Sequence, residues 1–336
     1  MHFRHLYLLV GLLSLICPVT AFAQHSAGEF SKRGLAKGGQ GDYDGAIGDF
    51  SKAIELDPKY ASAYDNRGVA KSRKGDYDGA IADCSKAIEL DPKYAFAYNN
   101  RGAAKDHKGD YDGAIADFSK AIELDPKYAF AYNNRGDAKD HKGDYDGAIA
   151  DYGKAIELDP KFAIAYYNRG IAKERKGDFD NRALTEELKA AFETALSDFL
   201  RSDELASKPV NHDYAQLRIW LLRARQGHTA DANEELSAYL AKRWDGSPGD
   251  WTLRIADFLL GKKEESDFMA AADSTDPKKN REQHCQAWYY AAMKRLLAGD
   301  KKVAADYFAK CLATEARGSD EYMCAGAELK KLAATN

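Results

Sequence analysis

The chain has 336 residues, of which 45% are hydrophobic and 30% are charged, and its formal net charge at pH 7 is −4. A mildly acidic chain lacks the basic surface that binds DNA or RNA, so nucleic acid is excluded as the expected partner. Five cysteines in a chain of this length are too few for a fold built on disulfide bonds.

The first 23 residues have the pattern of an export signal. Arg4 precedes a run over residues 6–16 that is apolar except for Ser14, and the small-residue cleavage site Ala21-Phe22-Ala23 follows. The run is shorter than the roughly 20 residues that a spanning helix needs. Leucine and isoleucine directly precede Cys17, whereas bacterial lipoprotein signals have small residues there. We therefore expect cleavage after residue 23 and an exported, soluble protein, periplasmic or secreted, with no membrane span.

Four near-identical blocks of 34 residues begin at Ala27, Ala61, Ala95 and Ala129, and a fifth block begins at Ala163. Each of the first four has the pattern of two amphipathic helices, separated by a Gly-Asp turn and closed by Leu-Asp-Pro. Glycine suits the left-handed end of a helix, aspartate caps the next helix, and proline starts a new helix more readily than it continues an old one. Because one hairpin cannot bury its apolar face alone, the blocks are predicted to stack into a solenoid.

Each position within a block has a characteristic residue type. The fourth residue is aromatic, the eighth is glycine, and the twentieth and twenty-seventh are alanine, in phase from block to block. This pattern resembles the tetratricopeptide repeat family. The resemblance implies an all-α fold, a right-handed superhelical solenoid of helical hairpins with a C-terminal capping helix. It places five tandem repeats in residues 24–205.

The fifth block loses its register after Phe179. An insertion of 13 residues near 181–194 restores it, because Ala195 then takes the alanine position and Asp198 stands opposite Arg169. The inserted apolar residues fall at helical spacing, so we expect the insertion to lengthen the second helix. A tolerated insertion and a protruding contact for a partner protein both fit this pattern.

Arginine occupies the seventh position of every block, where the tetratricopeptide family usually has a buried leucine. A guanidinium between packed helices needs an acidic partner, and the twenty-third position supplies an aspartate. Identical copies in every unit indicate a structural role rather than a ligand site. The predicted pairs are Arg33 with Asp49, Arg67 with Asp83, Arg101 with Asp117, Arg135 with Asp151 and Arg169 with Asp198.

The first helices of such an array line its concave inner wall, and their sixth position is asparagine in four blocks. Amides in a regular row can donate to and accept from the backbone of an extended peptide. Asparagine could equally belong to the repeat unit without a binding role. The predicted peptide-binding groove consists of Asn66, Asn100, Asn134, Asn168, Phe96, Phe130, Asn99, Asn133 and Tyr167.

Residues 206–336 lose the tandem identity but keep helical periodicity, and they are predicted to form degenerate hairpins that end in a repeat-like unit and a cap helix. This region resembles the C-terminal part of bacterial envelope tetratricopeptide proteins of the new lipoprotein I type. The resemblance implies an adaptor that docks cell-wall endopeptidases and a processing protease. The chain departs from that type because it has no lipid-attachment box. The matching motifs are Cys285-Gln286-Ala287-Trp288-Tyr289-Tyr290, Gly299-Asp300, Phe308, Glu321-Tyr322 and Glu328-Leu329.

Two cysteines, Cys285 and Cys311, are predicted to lie at the same level of the last hairpin. A disulfide between them is feasible in an oxidising compartment. Cys84 takes a core position that is aromatic in the neighbouring blocks, so we expect a buried free thiol there.

The sequence has no nucleophile elbow, phosphate-binding glycine loop or zinc-type histidine pair, so no enzyme activity, cofactor or metal is expected. The duplicated Asp106-His107 and Asp140-His141 are interpreted as a solvated rim of the groove. The favoured function is a scaffold that binds proteins or peptide segments of the bacterial envelope. A structural module that forms homo-oligomers is the alternative, ahead of a glycan-binding protein or an enzyme.

Overall fold

The computed structural model describes residues 26–176, 186–205, 209–243 and 250–334. The predicted signal segment, residues 1–23, lies outside these ranges, as does the start of the predicted insertion. The described ranges contain α-helices and no β-strand. The helices are α1 Ala27–Gly39, α2 Tyr43–Leu56, α3 Ala61–Arg73, α4 Tyr77–Leu90, α5 Ala95–His107, α6 Tyr111–Leu124, α7 Ala129–His141, α8 Tyr145–Leu158, α9 Ala163–Lys176, α10 Glu186–Leu205, α11 Pro209–Arg225, α12 Thr229–Arg243, α13 Trp251–Leu259, α14 Glu265–Ala270, α15 Pro277–Leu297, α16 Lys301–Ala313 and α17 Asp320–Ala334.

The helix boundaries in the repeat array follow the predicted turn residues. Gly109 has φ +81°, the left-handed conformation in which glycine carries no steric penalty. Asp110 then caps α6, because its side chain accepts a hydrogen bond from the backbone N–H of Gly113 at 3.0 Å. The same glycine and aspartate recur before α2, α4 and α8. The predicted helical hairpins are confirmed.

Each hairpin is held together by close packing of small residues against one large side chain. A Cβ atom placed on Gly102 of α5 would lie only 2.8 Å from the ring of Phe118 in α6. Ala114 is fully buried in the same cluster as Phe118. Without side-chain atoms on one partner, the two helices approach closely and the aromatic ring fills the space between them.

The fifth hairpin pairs α9 with a longer second helix. α10 spans 20 residues, whereas α8 spans 14, and it begins inside the predicted insertion. Ala195 and Phe199 are fully buried, and Phe199 meets Gly170 as Phe118 meets Gly102. The repeat register therefore resumes at the predicted residue.

The C-terminal helices α11–α17 share one larger hydrophobic core, which includes Trp220, Tyr289, Tyr290 and Phe308. The last hairpin, α15 with α16, repeats the array's turn, with Gly299 at φ +83° and Asp300 capping α16. α17 packs on both of these helices. Among the described residues, no helix combines the length and apolar character needed to cross a membrane.

Candidate functional site

The inner wall of the array carries a continuous row of aromatic rings at the N-terminal ends of its first helices. We define the aromatic row as Tyr94, Phe96, Tyr128, Phe130 and Phe162. Neighbouring ring centroids along the row are 6.0, 4.9, 6.4 and 4.6 Å apart. The side chains of Phe96 and Phe130 are 52% and 55% exposed. Large apolar side chains exposed side by side mark an interaction surface more strongly than a single exposed residue does.

The predicted row of asparagines lies next to these rings and bonds between repeat units. Asn134 donates from Nδ2 to Oδ1 of Asn99 at 3.0 Å, and Asn168 donates to Oδ1 of Asn133 at 3.2 Å. In the same way Asn100 donates to both carboxylate oxygens of Asp65. Asn100, Asn134 and Asn168 each donate in this way to the residue at the fifth position of the preceding unit.

This geometry corrects two of the predicted groove residues. Asn99 and Asn133 are only 6% and 4% exposed, because they are the buried acceptors of those inter-unit bonds. They position the neighbouring asparagines and do not line an accessible groove. Asn66, Asn100, Asn134 and Asn168 remain partly exposed on the inner wall, as does Tyr167.

One acidic residue on the groove floor was not singled out from the sequence. Asp137 accepts hydrogen bonds from the hydroxyl of Tyr152 at 2.7 Å, from Asn168 at 2.9 Å and from Asn133 at 3.1 Å. Burial raises the pKa of Asp137 to about 7, against the effect of the Tyr152 hydrogen bond. The signal was present in the sequence, because the ninth position is apolar in the other units: Leu35, Val69, Ala103 and Ile171.

The predicted solvated rim is wrong at Asp140. Its side chain is buried, and the Nη1 of Arg175, in the next unit, donates to it. Asp106 meets Nδ1 of His141 at 3.2 Å, again across a unit boundary. These acids are therefore paired between units instead of facing solvent. Within the described residues, no group of three or more potential metal-ligating side chains comes together.

Each predicted arginine is brought to its predicted aspartate. Arg101 donates to Asp117 through Nε at 2.9 Å and Nη2 at 2.6 Å, and the same two-point contact occurs in all five units. Lys105 reaches the same carboxylate at 2.7 Å, and Arg101 also lies over the ring of Tyr98. Since Arg101 bonds Ser85 of the preceding unit, the pair links neighbouring hairpins as well as the two helices of its own.

The C-terminal helix α17 covers the continuation of the inner wall beyond α9. Arg175 of α9 contacts Asp320 at 3.2 Å, and Arg218 of α11, fully buried, lies 3.5 Å from Glu321. Farther along α17 a third such pair joins Arg225 to Glu328. The accessible inner wall is therefore that of α1, α3, α5, α7 and α9.

A cavity of about 440 Å³ lies where the open wall meets the start of α17. Ile164, at the second position of its block as Phe96 and Phe130 are, forms one side of it together with Tyr167. All charged residues that line it are acidic: Glu282, Asp320 and Glu321.

The sulfur atoms of Cys285 and Cys311 lie 3.0 Å apart in the buried core of the last hairpin, and both cysteines are unbridged in this structure. The predicted neighbours are thus in contact. Cys84 is a buried free thiol whose pKa is raised by burial, which keeps it protonated and unreactive.

Family models of the tetratricopeptide repeat match a continuous part of the chain. A TPR repeat model matches residues 39–75 and 141–177, and tetratricopeptide repeat models match 61–94, 95–128 and 118–150. Residues 39–177 are tetratricopeptide repeats. No curated protein matches the chain.

Three solved structures show how the tetratricopeptide array compares with known proteins. MamA is 32% identical with a TM-score of 0.43, and the match covers 51% of this chain and 96% of MamA. The first TPR of Spaghetti (RPAP3), bound to the HSP90 peptide SRMEEVD, is 29% identical with a TM-score of 0.34, and the match covers 35% of this chain and 94% of that one. PilF of Pseudomonas aeruginosa is 15% identical with a TM-score of 0.52, and the match covers 70% of this chain and 97% of PilF. PilF shares the fold.

Proposed function

We propose that this protein is a non-enzymatic scaffold of the bacterial cell envelope that holds peptide segments of partner proteins against the inner wall of its tetratricopeptide array. The observation that carries the proposal is the exposed aromatic row. Phe96 and Phe130 are not core residues, because both are about half exposed, whereas Phe118 is fully buried. Exposed rings of this size are useful when a partner covers them.

The asparagines supply the polar part of the same surface. An asparagine side chain can donate two hydrogen bonds and accept two. The inter-unit bond fixes the orientation of Asn134, whose Oδ1 has only a long 3.5 Å contact from Nδ2 of Asn133 and can accept a further hydrogen bond from a peptide N–H. Fixing the amide before the ligand arrives reduces the ordering cost of binding.

The envelope location rests on the signal-like segment and on the resemblance of residues 206–336 to envelope adaptors. Cell-wall hydrolases or a processing protease would then be the partner proteins. N-terminal sequencing of the purified protein checks the location directly. We expect the mature chain to begin at Gln24, and an intact Met1 or a lipid-modified Cys17 would contradict it.

Crosslinking in living cells tests the function. A photo-reactive amino acid placed at Phe130 should capture an envelope protein, whereas the same amino acid at Glu123, exposed on the second helix of its hairpin, should not. Capture of another copy of this chain at position 130 would support the oligomerising module instead.

A double substitution tests the contribution of the two exposed rings to binding affinity. Phe96→Ala with Phe130→Ala should weaken binding of the captured partner at least tenfold and leave the helical circular dichroism unchanged, because both side chains are half exposed. Unchanged affinity would show that the inner wall is not the binding surface.

A further inference from the structure

The spacing of the aromatic row restricts the conformation of what it can bind. Successive centroid distances of 4.9 and 6.4 Å place Phe130 no more than about 11 Å from Phe96. Packed helices have axes 8–10 Å apart, so equivalent residues on α5 and α7 recur at roughly that interval. A bound chain that covers both exposed rings, Phe96 and Phe130, must therefore offer an apolar group about every 8–11 Å.

A polyproline II helix meets this requirement. It rises 3.1 Å per residue with three residues per turn, so every third side chain points the same way at intervals of about 9.3 Å. A β-strand repeats one face about every 6.8 Å, which brings its alternate side chains out of step with the rings. An α-helix repeats its face at about 10.5 Å over seven residues, so spacing alone does not exclude it.

The asparagines beside the rings decide between the two helices. Asn100 lies four residues after Phe96 and Asn134 four after Phe130, so each amide shares a helix face with a ring. An α-helical ligand satisfies its own backbone groups and has no need of amides. A polyproline II chain has no internal hydrogen bonds, so its carbonyls and remaining N–H groups can pair with them.

The end of the row indicates a charge on the ligand. Phe96, Phe130 and Ile164 lead to the 440 Å³ cavity, whose charged lining residues are all acidic. Asp320 and Glu321 are already paired with Arg175 and Arg218. Glu282 is exposed at the edge of the cavity, with Lys278 4.0 Å away, so it is the carboxylate that a ligand can reach. A long basic side chain fits such a cavity, with its methylene groups against Ile164 and Tyr167 and its charge near Glu282.

We propose that the aromatic row binds a proline-rich segment in the polyproline II conformation, with an arginine or lysine at the end that reaches the acidic cavity. The proposal rests on the proposed function, since it names the ligand of the same inner wall. A second copy of this chain does not supply the segment, because no two of its eight prolines lie within three residues of each other.

Calorimetric titration of the full-length mature protein with synthetic peptides tests the proposal. The first probe is Pro-Pro-Leu repeated three times and followed by arginine. A second replaces every proline by glycine, and a third replaces the arginine by glutamate. We expect the first probe to bind at least tenfold more tightly than either of the others. Equal affinity of the glycine peptide would overturn the conformational assignment.

Protein variants locate the contacts. Phe96→Ala with Phe130→Ala should abolish the preference for proline over glycine. Glu282→Gln should reduce the preference for arginine over glutamate and leave the proline preference intact; an unchanged charge preference would overturn the placement of the basic end. If the photo-crosslinked partner binds this wall while the proline peptide does not compete with it, the proposal here fails and the proposed function stands. If the phenylalanine substitutions leave the affinity for the partner unchanged, the proposed function fails.

Discussion

At the scale of single residues, the near-identity of the repeats makes each departure from it informative. Asp137 stands where the other units have an apolar residue, and Tyr152 stands where they have phenylalanine or cysteine. The structure shows that the two departures belong together, because the Tyr152 hydroxyl donates to Asp137. The unit before it, with Ala103 and Phe118, has neither polar group.

This pairing predicts a strong coupling between the two substitutions. Asp137→Ala alone should lower the free energy of unfolding by about 1–3 kcal/mol, because it leaves the buried Tyr152 hydroxyl without its acceptor. Adding Tyr152→Phe recreates the pair found in the preceding unit and should recover most of the loss. Denaturant titration of the single and double variants measures the coupling, and additive losses would contradict it.

The same carboxyl predicts a dependence of stability on pH. Burial raises the pKa of Asp137 to about 7 in the folded protein, against about 3.9 in an unfolded chain. Between these values the folded state holds a proton that the unfolded state has lost. The contribution is therefore present below about pH 4 and is lost as the pH rises through 7.

The measurement is a comparison of the parent with the double variant Asp137→Ala, Tyr152→Phe. The parent's free energy of unfolding, relative to that of the variant, should fall by about 1–3 kcal/mol between about pH 5 and about pH 8. Groups common to both proteins cancel in the difference. A difference independent of pH would show that Asp137 is ionised throughout the range.

At the scale of helices and hairpins, the turn residues and the arginine–aspartate pairs could be predicted because they recur in phase. The hydrogen bonds between asparagines of neighbouring units could not be predicted from the sequence. Asn134 and Asn99 are 35 positions apart and meet across a unit boundary, so the repetition shows that they are alike but not that they touch. A residue exposed in one isolated hairpin becomes buried only when the next hairpin stacks on it.

Gly102 and Gly48 both lie inside helices, but their packing differs, so substitution by alanine is predicted to change stability in opposite directions. Gly102→Ala should destabilise the protein by about 1–3 kcal/mol despite the better helix propensity, since its Cβ would lie 2.8 Å from Phe118. Gly48→Ala is the matched control, because no atom lies within 4 Å of its Cβ and the next three units have alanine there. It should stabilise by about 0.5–1 kcal/mol. Thermal unfolding of both variants checks the pair of signs, and a stabilising Gly102→Ala would mean that the hairpin is loosely packed.

At the scale of the whole molecule, the path of α17 was beyond sequence reasoning. Its helical character followed from periodicity, and a cap helix was expected at the end of residues 206–336. Its contact with α9 depends on the accumulated curvature of every hairpin between them, which no local spacing contains. The result is that Arg175 and Asp320 meet across 145 positions, although a linear solenoid joins only neighbouring units.

This return contact predicts that the array and the C-terminal helices unfold together. Arg175 is buried and bonds Asp140 of the array as well as Asp320 of α17. Arg175→Ala should remove this link and leave the packing of α10 on α11 and the ion pairs of Glu174 with Arg218 and Arg225. Two probes can follow them separately. All four tryptophans lie between residues 220 and 288, so fluorescence reports the C-terminal part, whereas circular dichroism reports helices in both parts.

We expect the two probes to give one coincident denaturant transition in the parent and separated midpoints in Arg175→Ala. Arg73→Ala provides the control, since Arg73 occupies the same position of the second unit and is exposed. Its transitions should remain coincident. Coincident midpoints in Arg175→Ala would mean that the α10–α11 interface and the Glu174 ion pairs carry the coupling without the contact between Arg175 and Asp320.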